Sequence, residues 1–277
     1  MPFVSKTASI LRSVREGILW RLDGVLDRKK SLTKLSASLR HVFAGRFNLG
    51  VCPICECRTV FVKETEWLRD HYRCVRCDSI PRWRAIIRVL ETVFPQWREL
   101  RIHECSPGGA SSDKLRAECK HYVPAYFFPD ITPGQYKNGI RCENLERMTF
   151  ENESFDLMVT QDVLEHVLNP DRAFREIARI LKPGGAHVFT VPFYYWKETF
   201  VRALETSEGI KYLADLEYHG NPINSEGSLV VTEWGENLVD FIYSHSGMTT
   251  TIYQLTDRRL GLEAAFLEVF VSRKRLV

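Results

Sequence analysis

The sequence predicts a doubly wound α/β fold: a mostly parallel sheet with helices on both faces, an antiparallel hairpin at its end, and a small cysteine-rich module in front. Three observations predict it. From residue 98, RELRIHECSPGGASSDKL carries an apolar strand into a glycine-containing turn and a helix. NESFDLMVTQDVLEHV is a second strand ending in a polar loop, and AFREIARILKPGGAHVFTVP is a helix closed by a glycine pair before a third strand. Ahead of them, two Cys-x2-Cys pairs bracket residues 52–77.

The elements follow in order. Residues 1–48 form a basic segment of one or two helices, with Gly45 and Gly50 punctuating the exit. Residues 49–80 form the cysteine module, with two short β-prone runs between the pairs. Ser79 and Pro81 start a helix whose apolar stripe is Trp83, Ile86, Ile87, Leu90 and Phe94. Residues 81–277 make the α/β domain. Its strands are expected at 100–105, 121–128, 139–143, 155–160 and 186–191, and its helices at 110–119 and 170–181. Residues 193–228 are a Tyr- and Trp-bearing insertion of the kind that shapes a substrate site. A helix at 236–246 and a hairpin of strands at 249–255 and 264–272 complete the sheet.

A chain of 277 residues with 44% hydrophobic content accommodates one medium domain and an accessory module. Its net charge of +3 is unevenly spread: the first 50 residues hold ten Lys or Arg against Glu16, Asp23 and Asp27, so the remainder is slightly acidic. Ile10, Leu11, Val14, Ile18, Leu22 and Val25 recur at helical spacing among Arg12, Arg15, Arg21 and Arg28. That pattern fits a helix packed on its own domain or a peripheral membrane contact through residues 1–30. No apolar run reaches the roughly 20 residues a transmembrane helix needs. The N-terminus has neither a signal core nor a small-residue cleavage site, which argues against secretion, and its Arg and Ser content leaves a transit peptide as the alternative. A reducing cytoplasm is the expected setting for the eight cysteines.

Cys52, Cys55, Cys74 and Cys77 have the spacing of a four-cysteine zinc site, with 18 residues between the pairs. Thiolates brought together by a short hairpin give a closed tetrahedral site, so this zinc is expected to be structural.

The ordered blocks from 98 to 192 resemble class I S-adenosylmethionine (SAM) dependent methyltransferases of the type 11 group, and the cysteine module resembles a zinc ribbon placed ahead of that Rossmann-like fold. The resemblance implies SAM as cofactor. In the family's acid-x-Gly-x-Gly-x-Gly turn this chain has Glu104, Ser106, Gly108 and Ala110. Glu104 is thereby expected to hold the amino end of SAM, with the backbone of Ser106 and Gly108 alongside. The carboxylate expected for the ribose hydroxyls falls on Tyr126 in YVPAYFFPD, which leaves Asp130 as the next acid. Asn144, with the Leu145 backbone, falls where the adenine amino group is recognised, and Gln161 lines the methyl-donor end.

Candidate catalytic residues are Asp162, Glu165 and His166, spaced i, i+3, i+4 after the second strand block, together with His219 in the insertion. A similar carboxylate-x-x-Glu-His run with a later histidine holds a divalent ion in small-RNA 2′-O-methyltransferases and some ubiquinone-pathway O-methyltransferases, so magnesium or manganese is the corresponding expectation at the acceptor site. Three functions follow from the sequence: O-methylation of a glycan or small-molecule hydroxyl, methylation of RNA with the zinc module binding it, or a degenerate SAM-binding scaffold, to which Ser106, Ala110 and Tyr126 belong as departures from the family motif.

Overall fold

The computed structural model describes residues 45–220 and 227–276. The basic helices expected before residue 45, and the membrane contact assigned to residues 1–30, lie outside the described residues. The chain divides into two compact units. The first runs through Val89 and takes in Gly109–Ser111 and Leu255–Leu267; the second holds Leu90–Gly108, Ser112–Gln254 and the chain from Glu268.

In the first unit, β1 (Phe47–Val51), β2 (Arg58–Lys63) and β3 (Tyr72–Cys74) form an antiparallel sheet, with Phe61 opposite Cys74. A short helix α1 (Leu68–His71) precedes β3, and α2 (Pro81–Val93) leaves the unit toward the next. Thr59 to Val62 are all buried, so β2 is covered on both faces. The late segment Leu255–Leu267 supplies part of that cover. Gly50 admits it, because a Cβ there would overlap the Arg259 carbonyl, and Gly261 (φ +67°) lies directly on the Phe61 ring.

The second unit contains β4 (Arg101–Cys105), α3 (Gly109–Glu118, whose first turn is shared with the first unit), β5 (His121–Tyr126), β6 (Tyr136–Lys137), β7 (Ile140–Cys142), β8 (Phe155–Gln161), α4 (Pro170–Ile180) and β9 (Leu181–Thr190). The insertion forms β10 (Phe193–Tyr194), β11 (Phe200–Val201), β12 (Ala203–Thr206), β13 (Gly209–Tyr212), β14 (Tyr218–His219), β15 (Ser228–Leu229) and β16 (Thr232–Gly235); α5 (Leu238–Ser246), β17 (Thr249–Tyr253) and β18 (Val269–Arg273) follow. Eight strands make one sheet in the order β17-β18-β9-β8-β4-β5-β7-β6. Its centre is parallel, and β17–β18 is the antiparallel ending. The chain passes from β4 to β5 on one side and returns to β8 on the other. This reversal opens a crevice at the carboxyl ends of β4 and β8, the place where such sheets bind ligands.

The core explains the pattern. On α4, Ala173, Phe174, Ile177 and Ile180 are buried at helical spacing, and Phe174 packs against Phe189 and Trp234. Each large side chain buried this way contributes about 1.5–3 kcal/mol.

Three boundaries differ from the sequence expectation. The strand expected at 139–143 is the second arm of a hairpin that turns at Asn138 (φ +52°) and Gly139 (φ +77°), the Asn-Gly signal of a tight turn. Lys182, Pro183, Gly184 and Gly185 do not end α4; they begin β9, and the pairing with β8 shifts register between Phe155 and Leu157. The strand expected at 264–272 begins only at Val269, because the residues before it belong to the first unit.

Candidate active site and candidate metal centre

Glu104, one residue before the end of β4, is fully buried, and three side chains reach its carboxylate: Ser112 Oγ at 2.8 Å, Gln161 Nε2 at 2.9 Å and the Tyr122 hydroxyl. Burial pushes its pKa up, opposed by the hydrogen bonds from Tyr122, Ser112 and Gln161. Gln161 sits at the end of β8, so the Gln161–Glu104 bond crosses the crevice opening. Sequence reasoning missed Tyr122 and Ser112. Their signal was positional: Tyr122 lies on the neighbouring strand, opposite Ile102, and Ser112 one helical turn beyond Gly108.

The turn after β4 is tied down locally. Ser106 adopts φ +55° and its amide donates to Ala125 O at 2.8 Å; the Gly108 amide donates to Ser112 Oγ at 2.8 Å, and the Tyr126 hydroxyl donates to Pro107 O. A Cβ on Gly108 would meet no heavy atom within 4 Å, so that face of the turn is open to a ligand. Gly109 is different: it holds φ +74°, and a Cβ there would overlap the Trp83 indole.

The other cofactor candidates are placed as follows. Asp130 is exposed and paired with Lys137 at 2.7 Å, a cation that holds its carboxyl below the usual range. Asn144 Oδ1 accepts the Glu146 amide at 2.9 Å in a local turn, and Leu145 is buried beside it.

Glu165, His166 and His219 come together, their ligand atoms all within 4.8 Å of one another. Glu165 and His166 lie on a 3₁₀ turn, Leu164–His166, and His219 arrives from β14. Glu165 is buried; its Oε1 stands 3.8 Å from His166 Nε2 and 3.9 Å from His219 Nδ1. His166 Nδ1 donates to Leu229 O at 2.8 Å, which leaves Nε2 as the lone-pair nitrogen of the neutral ring. Burial lowers the His166 pKa against that hydrogen bond, so the neutral form prevails near pH 7. The two rings meet edge to face with centroids 5.3 Å apart. Asp162 does not share this helical face: it lies before the turn at φ +51°, and its Oδ1 accepts the Thr190 hydroxyl at 2.9 Å.

In the first unit, the sulfurs of Cys52, Cys55, Cys74 and Cys77 also lie within 4.8 Å of one another. Ser79 Oγ stands 3.3 Å from Cys52 Sγ and 3.2 Å from Cys77 Sγ, and Thr59 Oγ1 stands 3.3 Å from Cys74 Sγ. Hydrogen bonding with Cys52, together with burial, raises the Cys55 and Cys77 thiols above their ordinary range.

This fold, with an open turn and a polar cage at the switch point, has the architecture that binds a ligand at the carboxyl ends of its strands. Over residues 111–189 the chain matches the family described as a methyltransferase domain. It is similar to the ubiquinone biosynthesis O-methyltransferases of Coxiella burnetii, 30% identical over 76 residues, which cover 27% of this chain and 31% of the relative. The chain thus matches about a third of the length of these curated relatives. Among solved structures it is similar to a SAM-dependent methyltransferase from Mesorhizobium loti (17% identity, TM-score 0.45, covering 69% of this chain and 98% of that one). It is also similar to an amino pentose methyltransferase from Micromonospora echinaspora (12% identity, TM-score 0.42, covering 67% and 86%). No helix among the described residues is long and apolar enough to cross a membrane.

Proposed function

We propose that this chain is a cytoplasmic SAM-dependent O-methyltransferase acting on a hydroxyl of a small molecule or glycan, with a magnesium or manganese ion at its acceptor site and a structural zinc in the cysteine module. The observation that carries the reading is the cluster of buried Glu165 with His166 and His219, in the turn that follows β8 and Gln161. One carboxylate and two imidazoles, one of them with its tautomer set by a carbonyl, suit a divalent ion. Bound there, such an ion would lower the pKa of an acceptor hydroxyl, and SAM would supply the methyl group for an in-line displacement. The protein's own residues prepare this. Glu104 and its three donors hold the turn and the end of β8 in one arrangement, and the open face of Gly108 leaves room for the cofactor. In the absence of an ion, His166, neutral near pH 7, is the residue able to take the hydroxyl proton through Nε2.

Oxygen as the acceptor atom is favoured by the O-methyltransferase relatives. Exposed Tyr195, Trp196 and Tyr218 in the insertion favour a substrate with flat or sugar-like faces. Four cysteine sulfurs with hydroxyl neighbours are the donor set of a closed zinc site. The RNA reading is less favoured by this arrangement. Of the arginines in and just after the cysteine module that could meet phosphates, Arg69 and Arg84 are buried, Arg73 pairs with Glu64 and Asp78, and Arg82 pairs with Asp70, which leaves Arg58 exposed and Arg76 half-buried.

The test is transfer of tritium from labelled SAM to nucleic acid, glycan and small-molecule fractions presented separately, with and without EDTA. Transfer to a glycan or small-molecule fraction that EDTA stops and manganese restores is expected. Transfer to RNA alone would replace the substrate assignment, and SAM binding without transfer to any fraction would leave a SAM-binding scaffold.

A further inference from the structure

Arg84 is the least expected side chain of the first unit. It is fully buried, yet its guanidinium forms no ion pair with a carboxylate among the described residues. It donates instead to neutral acceptors: Tyr72 O at 2.8 Å, Gly261 O at 2.7 Å, Ser79 O, and Ser79 Oγ at 3.3 Å. Its face lies 4.6 Å from the Phe61 ring centroid. A permanent cation in such a place is costly unless an anion is near. The neighbouring groups able to balance that charge are Cys52, Cys74 and Cys77 once ionised, whereas burial by itself disfavours it. Ser79 Oγ links the two, accepting from Arg84 and lying within reach of Cys52 Sγ and Cys77 Sγ.

We propose that Arg84 is the counter-cation of the four-cysteine centre and ties its loading to the order of the returning segment at residues 258–262. The inference rests on the zinc reading above. A divalent ion on four thiolates carries a net charge of −2, which a buried site must balance. Arg84 halves that charge, and the same guanidinium holds Gly261 O through two nitrogens, Nε at 3.2 Å and Nη2 at 2.7 Å. Without the metal the thiols reprotonate and the guanidinium keeps only carbonyl dipoles. The grip on Gly261 then loses its electrostatic support.

The experiment titrates zinc into the full chain against a chromophoric chelator, for the wild type, Arg84→Gln and Arg84→Lys, and follows zinc release on acidification. Arg84→Gln should weaken zinc binding about 10–100-fold, the usual effect of removing a group just outside the metal ligands. It should also raise the pH of half-release, because protons compete better for uncompensated thiolates. Arg84→Lys, which keeps the charge and loses the fork, should recover most of both effects. In the wild type, stripping zinc should speed amide exchange at residues 258–262, a measurement that stands even where a variant does not fold. Zinc uptake by the wild type with an unchanged Arg84→Gln affinity and half-release pH, or with unchanged exchange at 258–262, overturns the role of Arg84 and leaves the zinc reading intact. No zinc uptake by the wild type overturns both.

Discussion

The two candidate metal clusters are built in opposite ways. In the first unit, four cysteines within 26 residues of chain are gathered by β-hairpin turns, and every ligand comes from the same local module. In the second unit, Glu165 and His166 are neighbours, but His219 comes from an insertion more than 50 residues on and is brought in by short pairings such as β14 with β15. A local cluster forms with its module and holds it together. A dispersed cluster depends on a domain folded by other means, so its loss should cost chemistry and leave the fold intact.

The largest effect that tests this contrast is in the cysteine module. Cys74→Ser should abolish zinc binding and destabilise the first unit by more than about 4 kcal/mol, since metal loss is among the few mechanisms that reach such values. Metal analysis and hydrogen exchange check it. The central strands of the second unit should keep their protection. Equal zinc content, or melting of both units together, would remove the distinction.

Next comes Glu165→Gln, which should lower methyl transfer about 10²-fold or more by removing assistance to the acceptor hydroxyl. SAM affinity by calorimetry and the thermal midpoint should hardly move. A wild-type rate in this variant would return Glu165 to a purely structural role.

The glycines of the turn after β4 sharpen the comparison at a smaller scale. Gly109→Ala should cost about 1–3 kcal/mol, because a Cβ at φ +74° is strained and overlaps the Trp83 indole. Gly108→Val has open space around its Cβ and should leave stability nearly unchanged while abolishing SAM binding, if that space is the cofactor's. Normal SAM affinity in Gly108→Val would move the cofactor off the turn.

These outcomes bear on what the sequence could reveal. The alternation of strands and helices from residue 100 was legible because each element carries its own apolar period, and β4, α3, β5, β8, α4 and α5 all fall within two residues of expectation. The cysteine spacing was legible for the same local reason. The insertion was not: β10 and β11 both pair with β16, more than 30 residues away, and strands of two residues have no period to read. The cage around Glu104 was half legible. Glu104 and Gln161 were expected there from the resemblance, but Tyr122 and Ser112 join only through the β4–β5 register and the first turns of α3. Spacing grouped Asp162 with Glu165 and His166 on one helical face, and the left-handed backbone at Asp162 breaks that face.

Acid provides the last and smallest separation. His103 and His187 lie fully buried in the sheet of the second unit, and burial pushes them down to about 4 and about 3. His103 donates from Nδ1 to Val123 O, and His187 stacks on Phe189 with ring centroids 4.4 Å apart. The unfolded chain protonates each near its ordinary value of about 6.5, so below that pH the unfolded state binds more protons than the folded one. Stability contributed by the neutral rings is therefore complete above about pH 6.5 and is lost as pH falls toward the folded values. Each histidine should steepen the fall by about 1 kcal/mol per pH unit between pH 6 and 5. His187→Phe keeps an aromatic ring against Phe189 and removes the titration, so its second unit should lose stability less steeply across that window. Hydrogen exchange at the amides of β8 and β9 reads the second unit alone, even where acid also strips the cysteine centre. Parallel slopes for wild type and His187→Phe would show that the acid response arises elsewhere, with His166 of the candidate site the next to replace.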